Sequence, residues 1–158
     1  MTAPIAIHAF VWAHGPELLD LWVAAWRRVM PDIDFEARRP WFVDHLRELE
    51  DAGTAIRCAF DTATGAMLGF VTIDPATGHL DQIAVAPAAQ GGGAARALLA
   101  EARRLSPDRV GLDVNAANPR AIAFYRREGF RKIGEGVNPR SGRPIHSMEW
   151  RPAPSSRE

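Results

Sequence analysis

The stretch LDQIAVAPAAQGGGAARALL, from Leu80 to Leu99, constrains the fold of this chain more than any other. Ile83 to Val85 is short and apolar, as in a buried strand, and Pro87 ends that strand because it cannot donate to a ladder. Three glycines follow, and the Ala/Leu/Arg-rich segment from Ala94 to Leu105 predicts a helix. Unpaired N–H groups and the helix dipole favour an anion at such a junction. The stretch therefore predicts a phosphate ligand, with a diphosphate as the best candidate.

The strand inside this stretch does not alternate in a single register. Leu80 is at an even position and Ile83 and Val85 are at odd positions, which face opposite sides of a regular strand. Either the strand is buried on both faces, or a β-bulge near Asp81 and Gln82 shifts its phase. The pattern alone leaves both interpretations open.

Periodicity along the rest of the chain predicts a mixed α/β architecture with the order β-α-α-β-β-β-α-β-α-β-β. The predicted strands are Ile5 to Val11, Thr54 to Phe60, Ala66 to Ile73, His79 to Ala86, Arg109 to Val114, Phe130 to Val137 and Pro144 to Trp150. The predicted helices are Glu17 to Met30, Trp41 to Leu49, Ala94 to Leu105 and Asn118 to Glu128. Hairpin-linked strands ahead of the glycine loop argue against a doubly wound nucleotide fold.

Composition fits one globular domain, which we place at residues 1–151, followed by a Pro/Ser-rich tail at 152–158 that we expect to be disordered. A net charge of zero gives no general attraction to nucleic acid or to an anionic membrane. The chain shows no signal peptide and no spanning segment of ~18 apolar residues, so we expect a cytoplasmic protein. The lone cysteine, Cys58, is expected to be a small buried hydrophobe.

Two familiar phosphate motifs do not fit the glycine loop. The Walker pattern needs Lys and then Ser or Thr after its last glycine, where this chain has Ala94 and Ala95. A dinucleotide fingerprint belongs to an early βαβ unit, whereas here several strands precede the loop.

Two separated motifs carry a resemblance to a known family. The segment from Gln90 to Ala95, QGGGAA, matches Q/R-x-x-G-x-G/A, and the segment from Asn118 to Phe130 matches N-x-x-A-x-x-x-Y-x-x-x-G-F. Together they resemble the GCN5-related N-acetyltransferase (GNAT) superfamily, which binds acetyl-coenzyme A. Ala95 stands where glycine is commoner in the family. The resemblance implies an acyl-CoA N-acyltransferase fold, with a mixed, mostly antiparallel central sheet of about seven strands flanked by about four helices.

The resemblance also implies roles for individual residues. Pantetheine would pair with the backbone of the strand before the loop, and the loop would hold the pyrophosphate. In family members, this strand contains a β-bulge and is splayed from the next strand. Asn118 would contact the cofactor arm, and Tyr125 would place its hydroxyl near the sulfur. No metal is implied. The residues implied in acetyl-CoA binding are Ile83, Ala84, Val85, Gln90, Gly91, Gly92, Gly93, Ala94, Ala95, Asn118 and Tyr125.

Acetylation of an amine needs a base for the ammonium proton and benefits from an acid for the leaving thiolate. Tyr125, the only tyrosine of the chain, is the candidate acid. Asp81, acting directly or through water, and His79 are the candidate bases. Family members often have glutamate at one of these two positions or use a chain of waters, and neither residue is glutamate here.

The expected function is acetyl-CoA-dependent transfer of an acetyl group to a primary amine of a small molecule or peptide, by direct attack in a ternary complex. The alternatives are an acyl-CoA sensor without catalysis, or an acyltransferase for another acyl chain or a hydroxyl acceptor. We expect no nucleic-acid or membrane partner, and the resemblance leaves a homodimer open.

Trp22, Trp26 and Trp41 lie at helical spacing, which favours core positions over a ligand cage.

Overall fold

The computed structural model describes residues 4–154, and these residues form seven strands and four α-helices. The strands are β1 (Ile5–Ala9), β2 (Ala55–Asp61), β3 (Met67–Ile73), β4 (Leu80–Val85), β5 (Val110–Asn115), β6 (Arg131–Val137) and β7 (Pro144–Trp150). The helices are α1 (Gly15–Val29), α2 (Arg39–Asp51), α3 (Ala94–Leu105) and α4 (Pro119–Arg127). The predicted element order is confirmed. Residues 152–154 carry no regular structure, and the rest of the predicted tail, 155–158, lies outside the described residues.

The strands form two antiparallel sheets, which together match the predicted mostly antiparallel fold. One sheet has the order β1-β2-β3-β4 and the other the order β5-β7-β6. A parallel bridge between His79 and Gly111 joins β4 to β5 at one end, where the Gly111 N–H donates to the Gly78 carbonyl at 2.8 Å. Gly78 has a φ of +78°, and a Cβ there would lie 2.6 Å from the Arg109 carbonyl oxygen. Glycine is therefore required at the point where the sheets meet.

A β-bulge at Asp81 interrupts β4, as one of the two sequence interpretations predicted. Thr72 of β3 pairs with Gln82, but its neighbour Ile73 pairs with Leu80, so Asp81 is the extra residue. The buried Thr72 hydroxyl accepts a hydrogen bond from the Gln82 N–H at 2.9 Å. This bond satisfies a backbone donor that the bulge would otherwise leave without a partner.

The bulge explains the break in alternation along β4. Leu80, Ile83 and Val85 all belong to the apolar cluster beneath α3 and α4, although their sequence parity differs. Ala84 belongs to a second cluster on the opposite face, beneath α1 and α2. One inserted residue thus returns the apolar side chains after the bulge to the face that Leu80 occupies.

Helix α3 packs on the four-stranded sheet, and its buried side chains join a cluster that extends to the second sheet. Leu98 and Leu99 are fully buried in a cluster that also contains β3, β5 and β7 residues. Burial of each leucine contributes about 2 kcal/mol to folding.

On the other face, the Trp22 indole stacks on the Phe42 ring with centroids 4.1 Å apart. Cys58 is buried there as predicted, and this burial raises its thiol pKa to about 12. Within residues 4–154, no helix has the length and apolarity needed to cross a membrane.

Candidate active site

A cleft of about 620 Å³ opens where β4 and β5 separate beyond the bridge at His79. Its walls come from α1, α2, β4, β5, α4 and the loop that joins β6 to β7. One edge of β4 pairs with β3, and its other edge faces this cleft along Ile83 to Val85. Backbone groups on an open strand edge are available to pair with an extended ligand. The splayed strands that the family resemblance implies are therefore present.

The glycine loop leads from this edge into α3. Gly91 and Gly93 have φ values of +83° and +91°, which favour glycine, and a Cβ at either position would meet nothing within 4 Å. The glycines are therefore required by the backbone conformation, and the space beside them is open. Helix α3 begins at Ala94, and among the described residues no side chain caps it. Its first N–H groups thus remain free for an anion with several oxygens, such as a pyrophosphate.

The second motif lies across the cleft on α4. Asn118 caps this helix, because its Oδ1 accepts from the Ala121 N–H at 3.2 Å, and the residue also lines the cleft. Tyr125 lines the cleft too and is only 8% exposed, with its ring centroid 5.5 Å from that of Phe130. Burial raises the pKa of the Tyr125 hydroxyl well above its ordinary value. The phenol therefore stays protonated at neutral pH and can donate a proton or a hydrogen bond.

Asp81 lies between two histidines at the far end of the cleft. Its Oδ2 is 2.6 Å from His45 Nε2 and its Oδ1 is 3.8 Å from His79 Nε2. The Gln82 side-chain amide also donates to Oδ2 at 3.3 Å. The structure brings together Asp81 and His79, the two candidate bases of the sequence analysis. It adds His45 from α2, whose side chain is 21% exposed.

These contacts decide the charge of the carboxyl. Burial alone would raise the pKa of Asp81, but the hydrogen bonds from His45 and Gln82 and the nearby His79 ring outweigh it and hold the pKa well below its usual range. The neighbouring Asp81 carboxylate in turn raises the pKa of His79 against the opposing effect of burial. Asp81 is thus an ionised carboxylate at neutral pH and a weak proton acceptor.

Aromatic side chains of the first two helices form the outer wall of the cleft. Trp22 is buried in the core, but Trp26 and Trp41 only pack at the edge of the core and line the cleft. The prediction that the tryptophans occupy the core thus holds in full for Trp22 alone. The His45 ring stacks on Trp41 with centroids 4.9 Å apart and planes 13° apart. The guanidinium carbon of Arg140 lies 3.8 Å from the Trp41 ring centroid.

His45 is the site residue that sequence reasoning missed as a candidate. It lies four positions after Trp41 on the apolar side of α2, and that spacing indicates only a helix face. The approach of α2 to the β4 bulge is a tertiary contact across 36 positions. In the described part of the chain, no group of three or more His, Cys, Asp or Glu side chains is arranged to hold a metal ion.

Comparison with known proteins identifies the family and the fold. The sequence model of the Acetyltransferase (GNAT) family matches residues 15–130, from α1 to the residue before β6. No curated protein matches the chain significantly. The apo form of YjaB from Escherichia coli, solved in solution, is similar to the chain with 22% identity, a TM-score of 0.74, and coverage of 93% of this chain and 97% of that one.

Two further solved structures share the fold. The PaiA N-acetyltransferase from Thermoplasma acidophilum, in complex with coenzyme A, has 16% identity and a TM-score of 0.75, covering 94% of this chain and 99% of that one. A spermidine N-acetyltransferase SpeG chimera from Vibrio cholerae and hSSAT has 20% identity and a TM-score of 0.66, covering 93% and 94%. These identities show the fold alone, whereas the family model spans well over half of the chain. The chain is therefore a member of the GNAT acetyltransferase family.

Proposed function

We propose that this chain is an acetyl-CoA-dependent N-acetyltransferase that acts on a primary amine of a small molecule or peptide in a ternary complex. One observation carries the proposal. A single cleft extends from Gln90, beside the uncapped start of α3, along the open edge of β4 to the Asp81 bulge, with Tyr125 on its wall. It thus offers an anion site, a backbone edge and proton-transfer groups in sequence.

Acetyl-CoA fits the first two parts of this cleft and supplies the activated acetyl group. Of the N–H groups from Gly91 to Ala95, that of Gly92 already donates to the Ala89 carbonyl at 3.2 Å, and the others would hold the pyrophosphate. The open space beside Gly91 and Gly93 leaves room for it. The free edge along Ile83 to Val85 would pair with pantetheine. Gln90 and Asn118 line the same cleft and would contact the cofactor arm.

The remaining residues serve the proton transfers. Tyr125 is held protonated by burial and would donate its proton where the thiolate leaves. At the other end, the Asp81 carboxylate and its two histidines face the space in which an ammonium group must lose a proton. Asp113 of β5 adds a second carboxylate to the cleft, and two negative charges there favour a cationic acceptor.

The comparisons support the choice of the first acceptors. One structural relative is a spermidine N-acetyltransferase chimera, and spermidine is a cationic polyamine. The aromatic wall of Trp26 and Trp41 is also compatible with cations, which are attracted to indole faces. Aliphatic and aromatic amines therefore both belong in a first panel.

The experiment is incubation of the protein with acetyl-CoA and, separately, spermidine, tyramine, lysine and a glycyl peptide. Released thiol is measured together with the mass of the amine, and propionyl-CoA and serine test another acyl chain and a hydroxyl acceptor. We expect thiol release that depends on an amine and adds one acetyl group to it. Binding of acetyl-CoA without thiol release on any acceptor would instead indicate a sensor.

A further inference from the structure

We propose that His45 is the general base of acetyl transfer, with the Asp81 carboxylate holding its Nε2–H and its Nδ1 taking the proton from the acceptor ammonium. This inference rests on the proposed function and assigns one of its steps. The residue comes from α2, far in sequence from both motifs that identify the cofactor site.

The geometry determines which ring nitrogen is free. The 2.6 Å contact joins His45 Nε2 to Asp81 Oδ2. An ionised carboxylate only accepts hydrogen bonds, so Nε2 carries the hydrogen in this pair. In the neutral imidazole, Nδ1 then has the lone pair, and within residues 4–154 it forms no hydrogen bond. A carboxylate that fixes the tautomer and stabilises the imidazolium is the arrangement used by catalytic His–Asp pairs.

Packing fixes the orientation of the ring as well. His45 stacks nearly parallel on Trp41, at a centroid distance of 4.9 Å, while the Arg140 guanidinium lies over the same indole. The side chain is 21% exposed and lines the cleft that also contains Tyr125. A base must be held in place yet reach the substrate, and His45 satisfies both conditions.

The two sequence candidates fit the role less well. Asp81 takes up a proton only far below neutral pH, because the hydrogen bond from His45 and the nearby His79 stabilise the carboxylate. The His79 side chain is 51% exposed, and its 3.8 Å separation from Asp81 Oδ1 is too long for an orienting hydrogen bond. In this scheme, Asp81 is a positioning residue, and His79 is a second side chain beside Asp81 that can carry a positive charge.

Charged and titratable groups face His45 from several elements. Asp81 and His79 face it from β4, Asp113 lies on the β5 wall, and Arg140 reaches the same wall from the β6–β7 loop. Helix α1 contributes three uncharged side chains to the cleft, which are Ala25, Trp26 and Val29. The proposed base thus lies in a cleft that holds two carboxylates, one guanidinium and a second histidine.

The proposed step balances. The acceptor R–NH₃⁺ and acetyl-CoA give the N-acetyl amide, the coenzyme A thiol and one H⁺. A nitrogen–carbon bond forms while the carbon–sulfur bond breaks. The amine nitrogen loses two protons in total. The first goes to His45 Nδ1 and from there to water. Tyr125 gives its own proton to the leaving thiolate and is reprotonated by the second proton from the nitrogen.

The test compares His45→Gln with the wild type, using the panel amine that gives the fastest thiol release. We expect kcat to fall about 100-fold or more, with the KM for acetyl-CoA within about twofold, and the loss of rate at acidic pH to disappear. Asp81→Asn should move this acidic fall to lower pH. His14→Gln is the matched control, because His14 lies against the Phe60 ring and does not line the cleft. The His14→Gln variant should keep the wild-type kcat and the wild-type dependence of rate on pH.

Two kinetic outcomes and one spectroscopic outcome would overturn the assignment. A His45→Gln variant with the wild-type rate and acidic fall would reduce His45 to a structural contact, and loss of that fall in His79→Gln alone would make His79 the base. Nitrogen NMR of the free protein gives a readout that does not depend on folding of the variant. We expect the Nε2–H tautomer of His45, and an Nδ1–H tautomer would contradict the proposal. A wild type that releases no thiol contradicts the proposed function itself.

Discussion

His45 and Asp81 lie 36 positions apart in the chain and are joined by a 2.6 Å contact between Nε2 and Oδ2. The contact links the middle of α2 to the bulge of β4. Because both side chains are less than a quarter exposed, the link is protected from much of the solvent screening that weakens surface pairs. It thus belongs to the structure of the site as well as to its chemistry.

Replacing Asp81 by Asn should destabilise the fold. The substitution removes the charge that two histidines face while keeping the shape of the side chain. We expect the free energy of unfolding to fall by about 1–3 kcal/mol, which corresponds to a few degrees in Tm for a chain of this length. Urea unfolding at pH 7 measures the effect. An unchanged free energy of unfolding would show that the His45–Asp81 contact contributes nothing to stability.

The same carboxyl should make stability fall in acid. Its folded pKa is lowered from the ordinary value of 3.8, so its contribution is complete well above that pH and is lost as the pH falls through and below it. The pKa of His79 is raised from 6.5, so its contribution is complete below that value and is lost as the pH rises through the folded pKa. Urea midpoints from pH 3 to pH 9 test both directions. In Asp81→Asn, both trends should be weaker.

Gly93→Ala should weaken acetyl-CoA binding more than it weakens the fold. The added Cβ meets no protein atom within 4 Å, but it would occupy space beside the free N–H groups of α3. Loss of one or two hydrogen bonds to a charged group, at about 1.5–3 kcal/mol each, should raise the KM for acetyl-CoA at least tenfold.

Gly53→Ala provides a matched control for that substitution. Gly53 has a φ of +93° against +91° for Gly93, and its Cβ position is equally open, but it lies after α2 and outside the cleft. Both variants should show similar strain in thermal unfolding. Only Gly93→Ala should change the KM for acetyl-CoA. An equal effect of the two would contradict an anion site at the loop.

Tyr125→Phe should lower kcat about 100-fold while leaving the affinity for coenzyme A nearly unchanged. The ring keeps its contacts with Phe124 and Phe130, so only the hydroxyl is lost. Steady-state rates measure kcat, and calorimetric titration with coenzyme A measures binding. A variant that turns over at the wild-type rate would remove Tyr125 from the mechanism.

Cys58 should not react in the folded protein. The residue is fully buried, and its pKa of about 12 leaves almost no thiolate at neutral pH. A thiol reagent should modify nothing before unfolding and one equivalent in denaturant. Cys58→Ala should retain acetyl transfer. Loss of activity in that variant, with the fold intact, would contradict the structural role of this cysteine.

The elements at the proposed cofactor end of the cleft could be predicted because their information is local. The glycine loop and the start of α3 are consecutive, and the segment from Asn118 to Phe130 is a single motif. The break in alternation at Asp81 was also visible, and a bulge was one of its two interpretations, since one inserted residue changes the parity of apolar positions within the same strand.

The acceptor end could not be predicted, because it depends on contacts between distant elements. No pattern in α2 indicates that His45 meets the β4 bulge, or that Arg140 from the last hairpin reaches Trp41. The order of the second sheet is also non-sequential, since β7 lies between β5 and β6. The separation of β4 from β5 that forms the cleft follows from this arrangement of the two sheets.

The most direct test of the account is the stoichiometry of product formation with ¹³C-labelled acetyl-CoA and spermidine. Released thiol and labelled amide are measured in the same reaction, by absorbance and by NMR. We predict that they rise together in a one-to-one ratio, and that both slow in Tyr125→Phe and His45→Gln. Tight binding of acetyl-CoA without any labelled amide, on spermidine or on the other panel amines, would contradict the assignment of this cleft as an N-acetyltransferase site.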